Sequence, residues 1–583
     1  MDGGGEAAGD ALAQPVCGHD KPVTKRMLGS PCCAQNMNFG EGNVNTRAGT
    51  ALRTLAAGAA VAVVAAGFAS PARASSSAST VIPVQYLDAT GSVSPPPFQT
   101  FSAASTGSGP AHVAVTVTQT GAVKFSIKSV FSDDTAGASL SSNDAATTDI
   151  ESYDGSIIWG ETDGDVDSGT YQYESPGTYQ VTDTVTDSNG ATATATVEVS
   201  TQGSAYTPVN PTRILDTRKG LGAPEGEVGS GSIVKLRVEG AGPVPASGIS
   251  AVVLNLTAVA TTGSGYVTAY PSDDGASVPH VSSLDYRAGE TVANFVTVPV
   301  GKDGYVYLAN EGAPISLIAD VSGYYSLTGT QGYEPAEGET RLLDTRVGTG
   351  APKAAVPNGG TVKLLTALGD TYLAGPGDMT AVDVNITVVD PTATGYITAY
   401  ADGMSRPGTS TVNYVKGQTV ANNAIVPVAA DGSIDLTNVM TAAGSVELVV
   451  DVAGYFEAGG LYDYVPMNPT RVFDSRLDGQ GQIENGIEYE LDLGDWAQNL
   501  GDPDLQFNVT VTDTKSSGYV TLYSEGASLP DTSDVNWDGP GQLAANAAFV
   551  NPVGSGWISM YNGGGAGADV ILDLFGYYQS SWP

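Results

Sequence analysis

A short pattern, Arg-x-x-Asp-x-Arg, occurs three times in this 583-residue chain and could either bind a ligand or brace a fold. A guanidinium group offers a planar fork of donors to a carboxylate or a phosphate, so one hypothesis is an anion-binding fork. The other is an internal ion pair that ties the pattern to Asp320, Asp451 or Asp573 further along the chain. The copies are Arg213, Asp216 and Arg218; Arg341, Asp344 and Arg346; and Arg471, Asp474 and Arg476.

We favour the internal ion pair, because a pattern that recurs in every copy of a repeat describes the shared fold before it describes a ligand. Arginine is otherwise scarce in this chain, which has 24 lysines and arginines together. On an extended strand, Asp216 and Arg218 should share one face while Arg213 lies on the other.

An acidic turn is the candidate metal site. Asp163, Asp165 and Asp167, with Glu174, stand at positions 1, 3, 5 and 12 of a calcium-loop pattern. Ser168 replaces the glycine at position 6, so an EF-hand is not predicted. Weak calcium binding by a surface turn and a solvated acidic loop are the hypotheses left open. No other cofactor is predicted.

Aromatic residues are the stronger lead to a ligand. Trp557 stands where Tyr305 and Ser433 stand in the other copies, at a position that accepts a small polar residue. We therefore expect Trp557 and Tyr305 to be accessible candidates for stacking on a sugar ring. The alternative is ordinary packing within a strand.

Catalysis finds little support. Beyond residue 74 the histidines are His112 and His280, and all three cysteines lie earlier, at Cys17, Cys32 and Cys33. A Ser-His-Asp triad or a histidine-bound zinc would need more such side chains. The acidic residues show no pair that the sequence singles out for glycoside hydrolysis. We predict that the chain is not an enzyme.

The N-terminal region predicts export. An apolar run over 55–69 follows Arg47 and Arg53, and small residues precede a cleavage point after Ala74. The run is shorter than the ~20 residues of a membrane span. We interpret 1–74 as a presequence, with 37–74 as the signal peptide if translation begins at Met37. The expected location is extracellular, without membrane insertion after cleavage and with non-covalent association with the cell wall as an option.

The formal net charge of −38 restricts the partners. Such a surface repels nucleic acid and anionic lipid. The expected partner is an extracellular glycan, held by hydrogen bonds and aromatic faces, or another envelope protein. The sequence leaves the oligomeric state open.

Internal repeats organise most of the chain. Asn-x-Thr triplets begin at Asn255, Asn385 and Asn508, and each repeat closes with an aromatic Gly-Tyr motif. The repeats are long enough to be whole domains, each with its own core, joined by short flexible connections. They cover 205–326 (repeat 1), 332–456 (repeat 2) and 462–579 (repeat 3). We interpret the triplets as strand residues rather than glycosylation sites, because each lies within an apolar run.

Alternating apolar residues and Asp-Gly turns predict an all-β protein of tandem β-sandwich domains. About eight strands per repeat fit either a sandwich or a small barrel, and the pattern does not choose between them.

A different domain precedes the repeats. The segments 150–153, 177–179 and 185–187, with Trp159, resemble a PKD domain, an immunoglobulin-like sandwich, over 112–200. The family's pattern is altered at 160–165. This resemblance implies an extracellular spacer or interaction domain without catalysis. Residues 75–111 are interpreted as a linker or a loose first strand.

The three repeats also resemble those of secreted proteins of high-GC Gram-positive bacteria. This resemblance implies an extracellular location and does not imply a specific activity. The first hypothesis is a secreted, non-enzymatic interaction or adhesion protein of the bacterial cell envelope that binds extracellular polysaccharide. The second is a purely structural spacer or surface-layer component. The third is a set of accessory domains of a carbohydrate-active enzyme.

Overall fold

The computed structural model describes 203–259, 261–271, 277–301, 303–366, 378–477, 481–493, 504–552 and 556–580, and ten earlier segments that carry β1 to β10. The all-β prediction is confirmed, since every regular element among the described residues is a strand. Among these residues no helix could cross a membrane. The earlier segments are 26–27, 80–83, 100–105, 111–121, 124–133, 146–150, 158–159, 166–172, 178–186 and 192–200.

The strands before the repeats form two sheets. One has the order β3-β4-β5-β8-β7 and the other β10-β9-β6, with Val113, Val115 and Val181 buried. The short strands β1 and β2 pair with β29 in repeat 3. The bounds are β1 Arg26–Met27, β2 Thr80–Pro83, β3 Thr100–Ala104, β4 Ala111–Gly121, β5 Lys124–Asp133, β6 Ala146–Ile150, β7 Ile158–Trp159, β8 Val166–Gln172, β9 Thr178–Thr186, β10 Thr192–Ser200 and, in repeat 3, β29 Ile487–Asp492.

Repeat 1 is a sandwich of two four-stranded antiparallel sheets. The inner sheet has the order β16-β13-β18-β11, and the outer sheet has the order β12-β17-β14-β15. Since the strands divide into two sheets, the sandwich rather than the barrel is formed. The bounds are β11 Ala205–Asp216, β12 Ser232–Arg237, β13 Ala251–Val259, β14 Gly265–Pro271, β15 Leu284–Tyr286, β16 Val292–Pro299, β17 Tyr305–Gly312 and β18 Ser316–Ser326.

Repeat 2 has the same two sheets and one additional short strand. Its inner order is β25-β22-β27-β19, with β20 paired to β27, and its outer order is β21-β26-β23-β24. The bounds are β19 Gln331–Asp344, β20 Val356–Pro357, β21 Thr361–Leu365, β22 Met379–Val389, β23 Gly395–Ala401, β24 Val412–Tyr414, β25 Val420–Pro427, β26 Ser433–Met440 and β27 Ser445–Ala458.

Repeat 3 follows the same plan. Its inner order is β33-β30-β35-β28, and its outer order is β29-β34-β31-β32. The bounds are β28 Tyr462–Asp474, β30 Asp504–Thr512, β31 Gly518–Ser524, β32 Val535–Trp537, β33 Ala544–Val550, β34 Trp557–Asn562 and β35 Asp569–Ser580.

Each repeat has a core of its own between its two sheets. In repeat 1 the side chains of Leu254, Leu256, Val267 and Leu308 are all fully buried there. They come from three different strands of the two sheets, so closing the sandwich removes all of them from water. Burial of this kind contributes roughly 25 cal/mol per Å² of apolar surface.

The repeats interlock around a common axis instead of forming a flexible row. The inner edge strands β16, β25 and β33 meet one another at this axis. The first strands also pair in a ring: Tyr206 pairs with Gln331, Tyr333 with Tyr462, and Tyr464 with Ser204. The sequence predicts short, flexible connections between the repeats. In the structure, backbone hydrogen bonds also link all three repeats to one another, with approximate threefold symmetry.

A second, shared core lies on this axis. It contains aromatic residues from all three repeats, and no single repeat could bury them alone. Glycine is required where a ring meets the closing strand: a Cβ on Gly323, Gly454 or Gly576 would lie within 2.3 Å of a tyrosine hydroxyl. This contact explains why each repeat begins with a tyrosine and closes with a Gly-Tyr motif. The shared aromatic core comprises Tyr206, Tyr325, Tyr333, Phe456, Tyr464 and Tyr578.

Candidate functional site

The first arginine of each Arg-x-x-Asp-x-Arg motif forms a two-pronged ion pair across neighbouring strands, which we term the cross-strand brace. Arg341 donates from Nε and Nη2 to the two carboxylate oxygens of Asp451, at 2.8 and 3.0 Å. The equivalent braces are Arg213–Asp320 and Arg471–Asp573. The three partner aspartates are those named from the sequence. Burial raises the pKa of all three, and the arginine opposes that rise.

The second arginine of each motif turns back onto the motif's own aspartate, in what we term the turn brace. Arg346 donates to both carboxylate oxygens of Asp344, at 2.9 and 2.7 Å, and its backbone N–H also donates to Asp344. These bonds hold the pKa of Asp344 below its usual value. The equivalent turn braces are Arg218–Asp216 and Arg476–Asp474.

The expected pairing of the aspartate with the second arginine is seen, but the expected separation of the first arginine from that aspartate is wrong in repeats 1 and 3. Arg471 Nη1 lies 3.4 Å from Asp474 Oδ2, although simple alternation would separate them. The cause is a register shift in the first strand of each repeat, which lies between Arg471 and Phe473 in repeat 3. A bulge of this kind changes the alternation of side chains. Both guanidinium forks are therefore occupied by aspartates of the same chain, and neither is presented as an open anion site.

The brace of repeat 3 also reaches its neighbour. Asp573 Oδ2 accepts a hydrogen bond from the backbone N–H of Ser282 in repeat 1, at 2.9 Å. Ser282 in turn bonds Asp285, which also accepts from Thr510 of repeat 3. Burial raises the pKa of Asp285 to about 6. The brace of repeat 3 therefore also helps to join repeat 3 to repeat 1.

Paired asparagines are the residues that sequence reasoning missed. Each Asn-x-Thr triplet supplies an asparagine whose side chain bonds an asparagine of another repeat. Buried amides of this kind need partners, and here each finds them across a repeat boundary. The triplets by themselves indicate only strand residues, because an amide within an apolar strand has the same pattern whichever core it faces. The pairs are Asn255 with Asn422 at 2.9 Å, Asn385 with Asn546 at 2.9 Å, and Asn508 with Asn294 at 2.8 Å.

A small pocket lies where the three repeats meet on the axis. It measures about 80 Å³ and is lined by equivalent turns of each repeat. In each turn a carboxylate or amide oxygen, from Glu290, Gln418 or Gln542, accepts a backbone N–H of its own turn at 2.9–3.0 Å. These three side-chain oxygens therefore serve their own turns.

The outer sheet of repeat 1 places aromatic and basic side chains together. Lys235 Nζ lies 4.6 Å from the ring centre of Tyr305 and 5.6 Å from that of Tyr307. The Arg237 guanidinium carbon lies 5.9 Å from the ring centre of Tyr305. Asp303 pairs with Lys235 at 2.6 Å and raises the pKa of the ammonium group. We call Lys235, Arg237, Tyr305 and Tyr307 the basic aromatic face.

The same positions carry different chemistry in the other repeats. Lys235 and Arg237 pair with Tyr307 and Tyr305 on the neighbouring strand. In repeat 2 these four positions hold Lys363, Leu365, Asp435 and Ser433, and in repeat 3 they hold Glu490, Asp492, Ser559 and Trp557. The residues at the axis recur, while those on the outer faces diverge from basic to acidic.

The two aromatic candidates from the sequence are half-buried rather than fully exposed. Lys235 lies over the ring of Tyr305, so part of that ring is covered by a cation. Trp557 pairs through its backbone with Asp492, in the acidic outer sheet of repeat 3. The structure therefore places Tyr305 and Trp557 on outer sheets of two different repeats, at equivalent positions rather than in one site.

The acidic turn is only partly described. Asp163, Asp165 and Glu174 lie outside the described residues, while Asp167 and Ser168 belong to strand β8 and pair with β5. Because the chain is extended from 166 to 172, it does not curl around an ion there as an EF-hand loop would. Among the described residues, no group of three His, Cys, Asp or Glu side chains is placed to hold a metal. Weak calcium binding by the turn stays a prediction.

Comparisons with known proteins add little. No protein family and no curated protein matches this chain. A solved structure of PNGF-II is 9% identical, covers 83% of this chain and 99% of its own, and has a TM-score of 0.16.

Proposed function

We propose that this chain is an exported, non-enzymatic binding protein of the bacterial cell envelope, and that its basic aromatic face holds extracellular glycan. The observation that carries the proposal is the clustering of Tyr305 and Tyr307 with Lys235 and Arg237 on one outer sheet. The equivalent positions differ in repeats 2 and 3, so the shared fold does not demand this cluster.

The chemistry of the face suits a sugar polymer. Aromatic side chains have an apolar body that can cover the C–H face of a sugar ring. Ammonium and guanidinium groups donate hydrogen bonds and accept none, which complements hydroxyl and carboxylate oxygens. Exposed charges are screened beyond about 8–10 Å at physiological salt, so this local cluster can act in spite of the acidic chain.

A pull-down on insoluble polysaccharides tests the proposal. Residues 75–583 are mixed with chitin, cellulose and cell-wall sacculi, and soluble fragments of each polymer are added as competitors. We expect saturable, competed retention that Tyr305→Ser weakens at least fivefold. Serine stands at this position in repeat 2, so the fold should accept the change, and Leu365→Ala, at an exposed position on the outer sheet of repeat 2, serves as the control. Retention by none of these polymers, or retention that Tyr305→Ser leaves unchanged, would count against a glycan site on this face.

A structural spacer is the second candidate, favoured by one observation. The ring of strand pairs through Tyr206, Tyr333 and Tyr464 joins three repeats into a single body, which suits a rigid spacer or a surface-layer subunit. Electron microscopy of the purified chain at high concentration separates the two. An ordered lattice or filament together with no polysaccharide retention would favour this candidate.

A further inference from the structure

A pocket lies at the boundary between repeats 2 and 3, and most of its lining residues are apolar or aromatic. It measures about 120 Å³, while one water needs only about 10–15 Å³, so it can accept a small chemical group. Its mouth lies beside the exposed residues Ala527 and Ser528. The lining residues that matter here are Tyr333, Ala336, Asp504, Tyr523, Phe549 and Asn551.

Among the described lining residues, the acid is Asp504, which is 5% exposed. Asn551 hydrogen-bonds this carboxyl group, while its buried Oδ2 oxygen has no hydrogen-bond partner among the described residues. None of the described residues that line the pocket is a lysine or an arginine. A buried carboxylate without a cationic partner is strongly disfavoured, so Asp504 is either protonated or paired with a cation that comes from outside the protein.

The acid is a departure from the repeat pattern. Asp504 pairs with Tyr578, just as Ala251 pairs with Tyr325 and Ala381 with Phe456. Alanine therefore fills this buried position in repeats 1 and 2. The fold that the three repeats share therefore does not require an acid at this position, and the carboxyl group of Asp504 is specific to repeat 3.

A second position at this boundary, Ala336, also departs from the repeat pattern and leaves space for the pocket. Pro335 pairs with Gly454, and the residue that follows it is Ala336. The residue that follows the equivalent proline is Val209 in repeat 1 and Met467 in repeat 3, both of which are larger. A small side chain and an acid thus depart from the repeat pattern at one boundary, where together they line a cavity.

We infer that this pocket binds the ammonium head group of a small organic cation, with the Asp504 carboxylate as its counter-ion. Three aromatic rings, those of Tyr333, Tyr523 and Phe549, complete the lining. Cations are attracted to the faces of such rings, and quaternary ammonium groups are recognised by cages of them. A hydrated inorganic ion gains less from rings and apolar walls than an organic head group does.

Titration of residues 75–583 with choline tests the inference. The comparison compound is 3,3-dimethylbutan-1-ol, which has the shape of choline without its charge. We expect saturable heat with choline and none with the alcohol. Because burial raises the pKa of Asp504 to about 7, choline affinity should weaken by about tenfold for each pH unit below 7.

Three variants make the test specific to the pocket. Asp504→Asn keeps the shape of the side chain and removes its charge, while Ala336→Met fills the space with the residue of repeat 3. Each should weaken choline binding at least tenfold, while Asp378→Asn, which removes a charge from an exposed position, should leave it unchanged. Equal binding of the neutral alcohol, full binding by Asp504→Asn, or heat with calcium or sodium but none with choline would overturn the inference. If Asp504→Asn fails to fold, Ala336→Met decides.

Discussion

The ring of Tyr333 in repeat 2 stacks on the ring of Tyr578 in repeat 3, with centroids 4.0 Å apart and planes 12° apart. The hydroxyl of Tyr578 is hydrogen-bonded to that of Tyr325 in repeat 1, at 2.6 Å. One tyrosine thus contacts all three repeats. The aromatic residues that open and close each repeat therefore join the repeats, and one of them, Tyr333, also lines the pocket beside Asp504.

Truncation of Tyr578 should destabilise the whole three-repeat body. Tyr578→Ala removes a fully buried ring and should lower the free energy of unfolding by about 3–5 kcal/mol. Tyr578→Phe keeps the ring and loses only the hydrogen bond to Tyr325, which should lower it by about 1 kcal/mol. Urea unfolding of residues 75–583 measures both. Similar effects of the two variants would show that the ring is not part of a shared core.

The cross-strand brace should matter more than an exposed ion pair. Asp451→Ala leaves the Arg341 guanidinium without its partner beside a buried strand, and removing one member of a buried pair costs about 3–5 kcal/mol. Asp402→Ala breaks an exposed pair with Lys363 and should leave the melting temperature almost unchanged. Thermal unfolding of both variants is the measurement. A mild effect of Asp451→Ala would mean that the brace is dispensable.

The braces show how far sequence reasoning reaches in this fold. Arg341 and Asp451 could be paired in advance because both recur at the two ends of every repeat, and the ends of a repeat meet in a closed domain. The contact between Arg471 and Asp474 could not, because it depends on a bulge that a motif of fixed spacing does not reveal. Local pattern predicts which strands form, while a bulge changes which side chains meet.

The contacts between the repeats could not be predicted from the sequence, for a different reason. Asn385 and Asn546 lie in apolar strands of separate repeats, and nothing in either strand shows that the two side chains bond each other. The pocket at Asp504 could not be predicted from the sequence either, because its walls come from two repeats. By contrast, the position shared by Tyr305 and Trp557 was found by comparing the repeats, although the sequence did not show that Lys235 covers one of the rings.

Stability should depend on pH through Asp504. Burial raises the pKa of this carboxyl group from 3.8 to about 7. A raised pKa in the folded state means that the stability associated with protonation is fully present below about pH 4 and is lost as the pH rises through 7. Asp504→Asn cannot ionise, so its melting temperature should rise relative to that of the wild type between pH 4 and pH 8.5. A constant difference across this range would contradict the placement of Asp504 in a buried site.

The claim on which the whole account depends is that the three repeats form one interlocked body around a shared aromatic core. Thermal unfolding of repeat 2 alone, residues 332–456, compared with that of residues 203–583, tests it most directly. Alone, repeat 2 keeps its own core but exposes Tyr333 and Phe456, which are fully buried here. We predict that the longer chain unfolds in one transition and that repeat 2 alone is unfolded or melts at least 15 °C lower. Equal melting temperatures for the two would contradict the claim and would show that the repeats are independent domains.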